Sequence, residues 1–111
     1  GRTGEGRYGE WALREYRRGD PSTIIEAGAA LGRYSSHEWI HEIDVPAAVV
    51  VTELDQVVPP QRQRKLADAI PGATVHPVAG DHICCVQQPD RFVPALLDAC
   101  ADVGARAAPA R

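Results

Sequence analysis

The hydrophobic positions in the first part of the chain recur at helical intervals. EWALREYRR has this spacing, and GDPSTIIEAGAALG shows it more clearly. In the second stretch Asp20 suits a helix N-cap, Pro21 suits the first turn and Gly32 suits the end. The glycine-rich start, GRTGEGRYG, is expected to be a flexible loop.

A third, shorter helix is predicted from SSHEWIHEI, with Ser35 or Ser36 as its cap. Trp39, Ile40 and Ile43 would form its buried side.

The pattern then changes to alternating strands and helices. DVPAAVVVTELD is a β-branched apolar run without polar alternation, which predicts a strand buried on both faces. PPQRQRKLADAIPG predicts a helix, ATVHPVAG a second strand and QPDRFVPALLDACADVG a closing helix. The helical residues expected to face the core are Leu66, Ala69, Ile70, Phe92, Leu96, Leu97 and Cys100.

This order indicates an α/β fold with a βαβ unit, a parallel sheet and a right-handed crossover. In such sheets functional residues gather in the loops at the carboxyl ends of the strands. Those loops are TELDQVVPP and AGDHICC, which contain Asp55 and His82. Because the strands are parallel, we expect the two loops to lie side by side.

Composition narrows the class of protein. The chain has 111 residues, of which 44% are hydrophobic and 24% charged, as in a small globular domain. A net charge of −3 gives no electrostatic case for a nucleic-acid or membrane partner. The three cysteines do not form a disulfide framework, so we expect a reducing, cytoplasmic setting. The chain starts at Gly1 and lacks methionine, so we expect it to be processed or part of a longer protein.

An aspartate can hold an imidazole in one tautomer while the imidazole accepts a proton from a nucleophile. Asp55 and His82 are placed for this arrangement. Position alone leaves the simpler alternative open, because an aspartate after a strand is commonly a turn former and a single histidine is commonly structural.

Residues 43–103 resemble the C-terminal part of the α/β-hydrolase superfamily. The family pattern is an acid loop of the type D-x-x-V-P, a helix leading into A-I-P-G-A, a last strand, a G-D-H turn and then x-Q-P-x-x-F. This chain has LDQVVPP, LADAIPGATVHPVAGDH and QQPDRF in that order. The resemblance implies that residues 43–111 are the C-terminal βαβα portion of a hydrolase core. Residues 1–42 would then be the end of a lid and its return to the core.

Carried over by position, the resemblance makes Asp55 the triad acid and His82 the general base, with Glu53 as a weaker alternative acid. In this family the nucleophile precedes the acid, in a G-x-S-x-G elbow that this sequence lacks. Ser22, Ser35 and Ser36 fit helix starts instead. The implied protein is a lid-bearing esterase or lipase-like serine hydrolase that acts on a small ester-like substrate without a cofactor. The chain alone would lack its front half, be inactive and tend to self-associate.

Two other functions stay open. His37, Glu38 and His41 match H-E-x-x-H, which in zinc proteases places two histidine ligands and a glutamate base on one helix. The segment is short, and Trp39 and Ile40 explain it as a packing helix that leads into the strand. The chain could also be a non-catalytic interaction module derived from a hydrolase. HICC does not have the usual spacing of zinc ligands, so Cys84, Cys85 and Cys100 are expected to be small buried residues.

Overall fold

The computed structural model describes residues 2–107, with the side chains of residues 2–5 left undescribed. Two compact units divide between Ser36 and His37. The division that the sequence predicts, between residues 42 and 43, lies at the other end of a short turn around Ile40.

The first unit consists of helices α1 (Arg2–Arg18) and α2 (Pro21–Arg33). Asp20 caps α2 as predicted, since its Oδ1 accepts a hydrogen bond from the Ser22 backbone N–H at 3.0 Å. Two expectations are wrong: from Arg2 onward the glycine-rich start is helical, and α2 continues through Gly32 to Arg33. A glycine inside a helix costs only about 1 kcal/mol, so neither stretch had to break the helix.

The stretch HEWIH does not form the predicted capped α-helix. Residues 37–39 form a turn, and a 3₁₀ helix of one turn follows at Ile40–Glu42. Trp39 occupies the N-cap position of this 3₁₀ helix, where Ser35 or Ser36 was predicted as the cap of a longer helix, and the Trp39 side chain makes no capping hydrogen bond. Ile40 is buried and Ile43 half-buried, whereas Trp39 is exposed. Because the chain becomes extended at Ile43, there is no room for a second turn.

The second unit is built on two parallel strands, β1 (Ala48–Thr52) and β2 (Thr74–Val78). Helix α3 (Pro60–Ala69) connects them, and α4 (Cys84–Gln87) and α5 (Pro89–Arg106) follow. The predicted mixed α/β architecture with a parallel sheet is therefore confirmed. The expectation that β1 is buried on both faces holds only for Val51, because the other residues of this strand are half-buried.

Two of the buried positions on helices α3 and α5 are alanines. Ala67 on α3 and Ala99 on α5 are buried, as is Ile70 at the end of α3. Alanine allows a helix backbone to approach the sheet closely, so the buried face is rotated by about one residue from the predicted one. Ile70 was therefore predicted correctly and Phe92 and Ala69 are half-buried, but four predicted core residues are exposed: Leu66, Leu96, Leu97 and Cys100.

Arg106 fastens the end of α5 to the amino-terminal end of the sheet. It donates hydrogen bonds to the carbonyls of Ala47 at 2.7 Å and Gly72 at 3.0 Å. Asp102 accepts from Arg106 at 2.8 Å and from the Thr74 hydroxyl at 2.5 Å. This cluster of hydrogen bonds fixes the amino-terminal ends of the two strands. The Asp55 and His82 loops follow the opposite, carboxyl ends. Within residues 2–107, the helices lack the combined length and apolar character that a membrane span requires.

Candidate functional site

The structure brings Asp55 and His82 into direct contact. Asp55 Oδ2 lies 3.0 Å from His82 Nδ1. The two loops meet because β1 and β2 are parallel, with Thr52 opposite Val78 at their carboxyl ends. Glu53, the weaker alternative acid, instead pairs with Arg64 at the surface. The adjacency predicted from the sequence is therefore present, and Asp55 is the acid that makes it.

Hydrogen-bond donors surround the Asp55 carboxylate. Oδ1 accepts from the backbone N–H groups of Val57 at 2.8 Å and Val58 at 2.9 Å. Oδ2 accepts from the Thr52 hydroxyl at 2.8 Å, in addition to His82. Among the residues described, Asp55 is the one polar or charged residue that is buried, at 7% exposure. The turn formed by residues 55–58 thus folds around the side chain of its first residue, Asp55.

These donors keep Asp55 ionised. Burial acts to raise its pKa, but the hydrogen bonds from Val58, His82, Thr52 and Val57 together outweigh burial and hold the pKa well below its ordinary value. An ionised carboxylate accepts, so the proton of a neutral His82 ring lies on Nδ1. Nε2 then carries the lone pair that can accept a proton. The His82 side chain is 47% exposed and accessible to a reacting group.

Two polar residues that support Asp55 were not found from the sequence. They are Thr52, the last residue of β1, and Gln63 in the first turns of α3. The Gln63 amide bonds both Thr52 and the Val58 carbonyl. The only available signal was their position beside the acid loop, which becomes informative once the helix and the strand are packed together.

Contacts from Cys84 and Arg91 hold the His82 loop in place. Cys84 is 1% exposed and packs against Gly80, while Arg91 Nη1 donates to the Ala79 carbonyl at 3.1 Å. Asp81 Oδ1 accepts from the Ile83 N–H at 3.0 Å and closes the turn. These contacts position His82 without using its ring.

The cysteines differ from the prediction that all three are buried. Cys84 is buried, but Cys85 and Cys100 are exposed, because neighbouring positions on a helical turn point in different directions. Burial, followed by the nearby Cys85 and Asp81, raises the pKa of the Cys84 thiol, which therefore stays protonated. Cys84 acts as a packing residue.

A cleft of about 490 Å³ opens beside His82. Leu54, Val57 and Ile83 give it an apolar wall, and Arg91 and Asp81 add charge at its border. This combination of an apolar surface with a few polar groups is typical of small-molecule sites.

The zinc alternative lacks the geometry that it requires. H-E-x-x-H places its two histidines on one face of an α-helix, whereas His37 and His41 lie in a turn and a 3₁₀ helix. Over residues 2–107, histidine, cysteine and acidic side chains do not gather in a group of three or more that could hold a metal ion.

Ser22 lies in the first turn of α2, whose N-cap is Asp20. The Ser22 hydroxyl donates to Asp20 Oδ1 at 2.9 Å at the start of α2, in keeping with its predicted role.

No family model matches the chain, and it has no match among curated proteins or solved structures. Membership of the α/β-hydrolase superfamily therefore stays a prediction that rests on the sequence motifs.

Proposed function

We propose that this chain supplies the acid and the base of a nucleophilic hydrolase that cleaves an ester or a related acyl bond. The main support is the contact between a buried, ionised Asp55 and the Nδ1 of an accessible His82. A turn former would need only the bonds from Val57 and Val58 to Asp55 Oδ1. The other oxygen, Oδ2, also accepts from the Thr52 hydroxyl, but its contact with a histidine beside a cleft is not needed to form the turn.

The proposed chemistry follows from the protonation state of the pair. His82 Nε2 takes the proton of a hydroxyl nucleophile as its oxygen attacks the acyl carbonyl carbon. The imidazolium formed is stabilised by Asp55 and returns this proton to the leaving alkoxide as the bond from the acyl carbon to the leaving oxygen breaks. Water then repeats the same two proton transfers and releases the acid.

The nucleophile and the oxyanion-hole donors would come from polypeptide outside this sequence. The sequence contains no G-x-S-x-G elbow. Loss of a triad member or of the oxyanion donors costs several orders of magnitude in rate, so we expect the 111-residue chain alone to be inactive.

The test is covalent labelling of the product of the complete reading frame that contains this chain, with a fluorophosphonate probe. We expect a serine upstream of residue 1 to be labelled. Asp55→Asn and His82→Ala should slow labelling by about 10³-fold or more. His41→Ala and Asp98→Asn are matched controls on exposed residues of the same unit and should label at the wild-type rate.

Labelling of a serine at a rate that does not depend on His82 would contradict the proposed role of the pair. Absence of any labelled serine would contradict the serine-hydrolase mechanism itself. Labelling of the isolated 111-residue chain would show that the nucleophile lies within it and that the proposed division of the triad is wrong.

A further inference from the structure

The side-chain amide of Gln63 spans the whole acid loop. Its Oε1 accepts a hydrogen bond from the Thr52 backbone N–H at 2.8 Å, at the end of β1. Its Nε2 donates to the Val58 carbonyl at 2.8 Å, at the far end of the turn. Asp55 lies between these two points, so one side chain ties together both ends of the segment that carries the acid.

The hydrogen bonds require an amide in one orientation. Rotation by 180° would place the amide oxygen against the Val58 carbonyl and the NH₂ group against the Thr52 N–H. Both contacts would then be repulsive. A residue that only filled space, or one that only accepted hydrogen bonds, would not replace Gln63.

Gln63 also determines the direction of the Thr52 hydroxyl. Gln63 Nε2 donates to Thr52 Oγ1 at 2.9 Å, which leaves the single hydroxyl proton for another acceptor. The charged Asp55 Oδ2 at 2.8 Å is nearer than Gln63 Oε1 at 3.2 Å, so the proton is directed to Asp55. Nε2 itself lies 3.3 Å from the same Oδ2. This is the oxygen that meets His82 Nδ1, so the Gln63 network converges on the contact between acid and histidine.

We propose that Gln63 is a positioning residue that holds Asp55 Oδ2 against His82 Nδ1 and thereby keeps the neutral ring in its Nδ1–H tautomer. Its significance for catalysis rests on the proposed function, because it is this tautomer that leaves Nε2 able to take a proton. The effect on the tautomer can be measured without any substrate.

The test uses the 111-residue chain with ¹⁵N-labelled histidine, studied by NMR at alkaline pH, where the imidazole is neutral. The ring nitrogen shifts of His82 give the ratio of the Nδ1–H to the Nε2–H tautomer. We expect Nδ1–H to predominate in the wild type and the ratio to fall about tenfold in Gln63→Leu, as for loss of hydrogen bonds to a charged group. Gln61→Leu, on an exposed glutamine of the same helix, is the matched control and should keep the wild-type ratio.

Gln63→Glu provides a second variant of nearly the same volume. It retains an acceptor for the Thr52 N–H but has no donor for Thr52 Oγ1 or the Val58 carbonyl, so we expect the ratio to fall here too. A wild-type ratio in either folded variant would overturn the proposal. Failure of both variants to fold would assign Gln63 to the stability of the fold, which would also overturn it.

Asp55→Asn separates this proposal from the one on which it rests. If Asp55→Asn lowers the ratio and Gln63→Leu does not, the positioning role is wrong while the Asp55–His82 pair stands. If the wild type itself lacks the Nδ1–H tautomer, the pair and the proposed proton transfer both fail.

Discussion

Gly80 lies so close to Cys84 that a side chain at position 80 has no space. A Cβ built on Gly80 would be 2.6 Å from Cys84 Cβ and 2.9 Å from its Sγ. Cys84 is fully buried and cannot move aside easily. Gly80 also accepts a hydrogen bond from the Leu54 N–H through its carbonyl, which joins the acid loop to the histidine loop. We expect Gly80→Ala to lower the free energy of unfolding by about 1–3 kcal/mol, measured by chemical denaturation.

The control for this substitution is Gly104→Ala. A Cβ at Gly104 meets no atom within 4 Å, and the residue lies inside α5. Alanine is the better helix former by about 1 kcal/mol, so this variant should be as stable as the wild type or more stable. Equal stability of the two variants would show that the contact between Gly80 and Cys84 is looser than the structure indicates.

Thiol reactivity should separate the three cysteines. Cys85 and Cys100 are exposed, whereas Cys84 is buried and burial raises the pKa of its thiol. We expect iodoacetamide to modify Cys85 in the folded protein, to modify Cys100 there at protein concentrations low enough to keep the chain monomeric, and to modify Cys84 only after denaturation, as read by peptide mass spectrometry. Rapid native alkylation of Cys84 would mean that the His82 loop opens readily.

The sequence was most informative where one local rule acted without competition. Asp20 was identified as a cap because a side-chain acceptor before Pro21 satisfies the free N–H groups of a helix start. The proximity of Asp55 and His82 followed from two parallel strands and needed no side-chain packing. The buried helix faces were less predictable, because Ala67 and Ala99 are buried while the larger residues beside them are exposed.

The support around Asp55 was not predictable from the sequence for a different reason. Thr52 and Gln63 are eleven residues apart and belong to different elements. No periodic pattern connects them, and each has ordinary alternatives as a surface residue. Their relation to Asp55 appears only when α3 is packed against β1, so this part of the site had to be seen in three dimensions.

Acidification should weaken the fold through Asp102. Its hydrogen bond from Thr74, followed by those from Arg106, lowers its pKa from 3.8 to about 2. A carboxyl group whose pKa is lower in the folded state stabilises the fold above its ordinary pKa, and this contribution is lost as the pH falls through the folded value. The loss should therefore begin below about pH 4 and continue towards pH 2.

The measurement compares the wild type with Asp102→Asn by denaturant unfolding at several pH values. The wild type should be the more stable protein at neutral pH, and the difference should shrink as the pH falls from about 4 to about 2. Asp55 is present in both proteins, and its lowered pKa contributes equally to the pH dependence of their stabilities. This contribution therefore cancels when the two stabilities are subtracted. A difference that stays constant or grows on acidification would contradict the assigned role of Asp102.

We expect the isolated chain to associate with a second copy of itself through β1 and α5. In the described part of the chain β2 is the only strand that pairs with β1, so the other edge of β1 faces no strand. Gln63 satisfies the Thr52 N–H at one end of that edge. An apolar groove of about 390 Å³ lies between β1 and α5. It is lined by Ala48, Val50, Leu96, Ala99, Cys100, Val103 and Gly104.

Sedimentation velocity at several concentrations tests this association. The wild type should sediment as a dimer or larger species, and Leu96→Lys should shift it towards the monomer because a desolvated charge would lie in the groove. Val93→Lys is the matched control, because Val93 is exposed to a similar degree on the same helix and does not line the groove. If both lysine variants dissociate equally, the association depends on general apolar exposure of α5 and the groove has no specific role. If the wild type is monomeric at every concentration, the predicted association is wrong, and the open edge of β1 does not need a second strand.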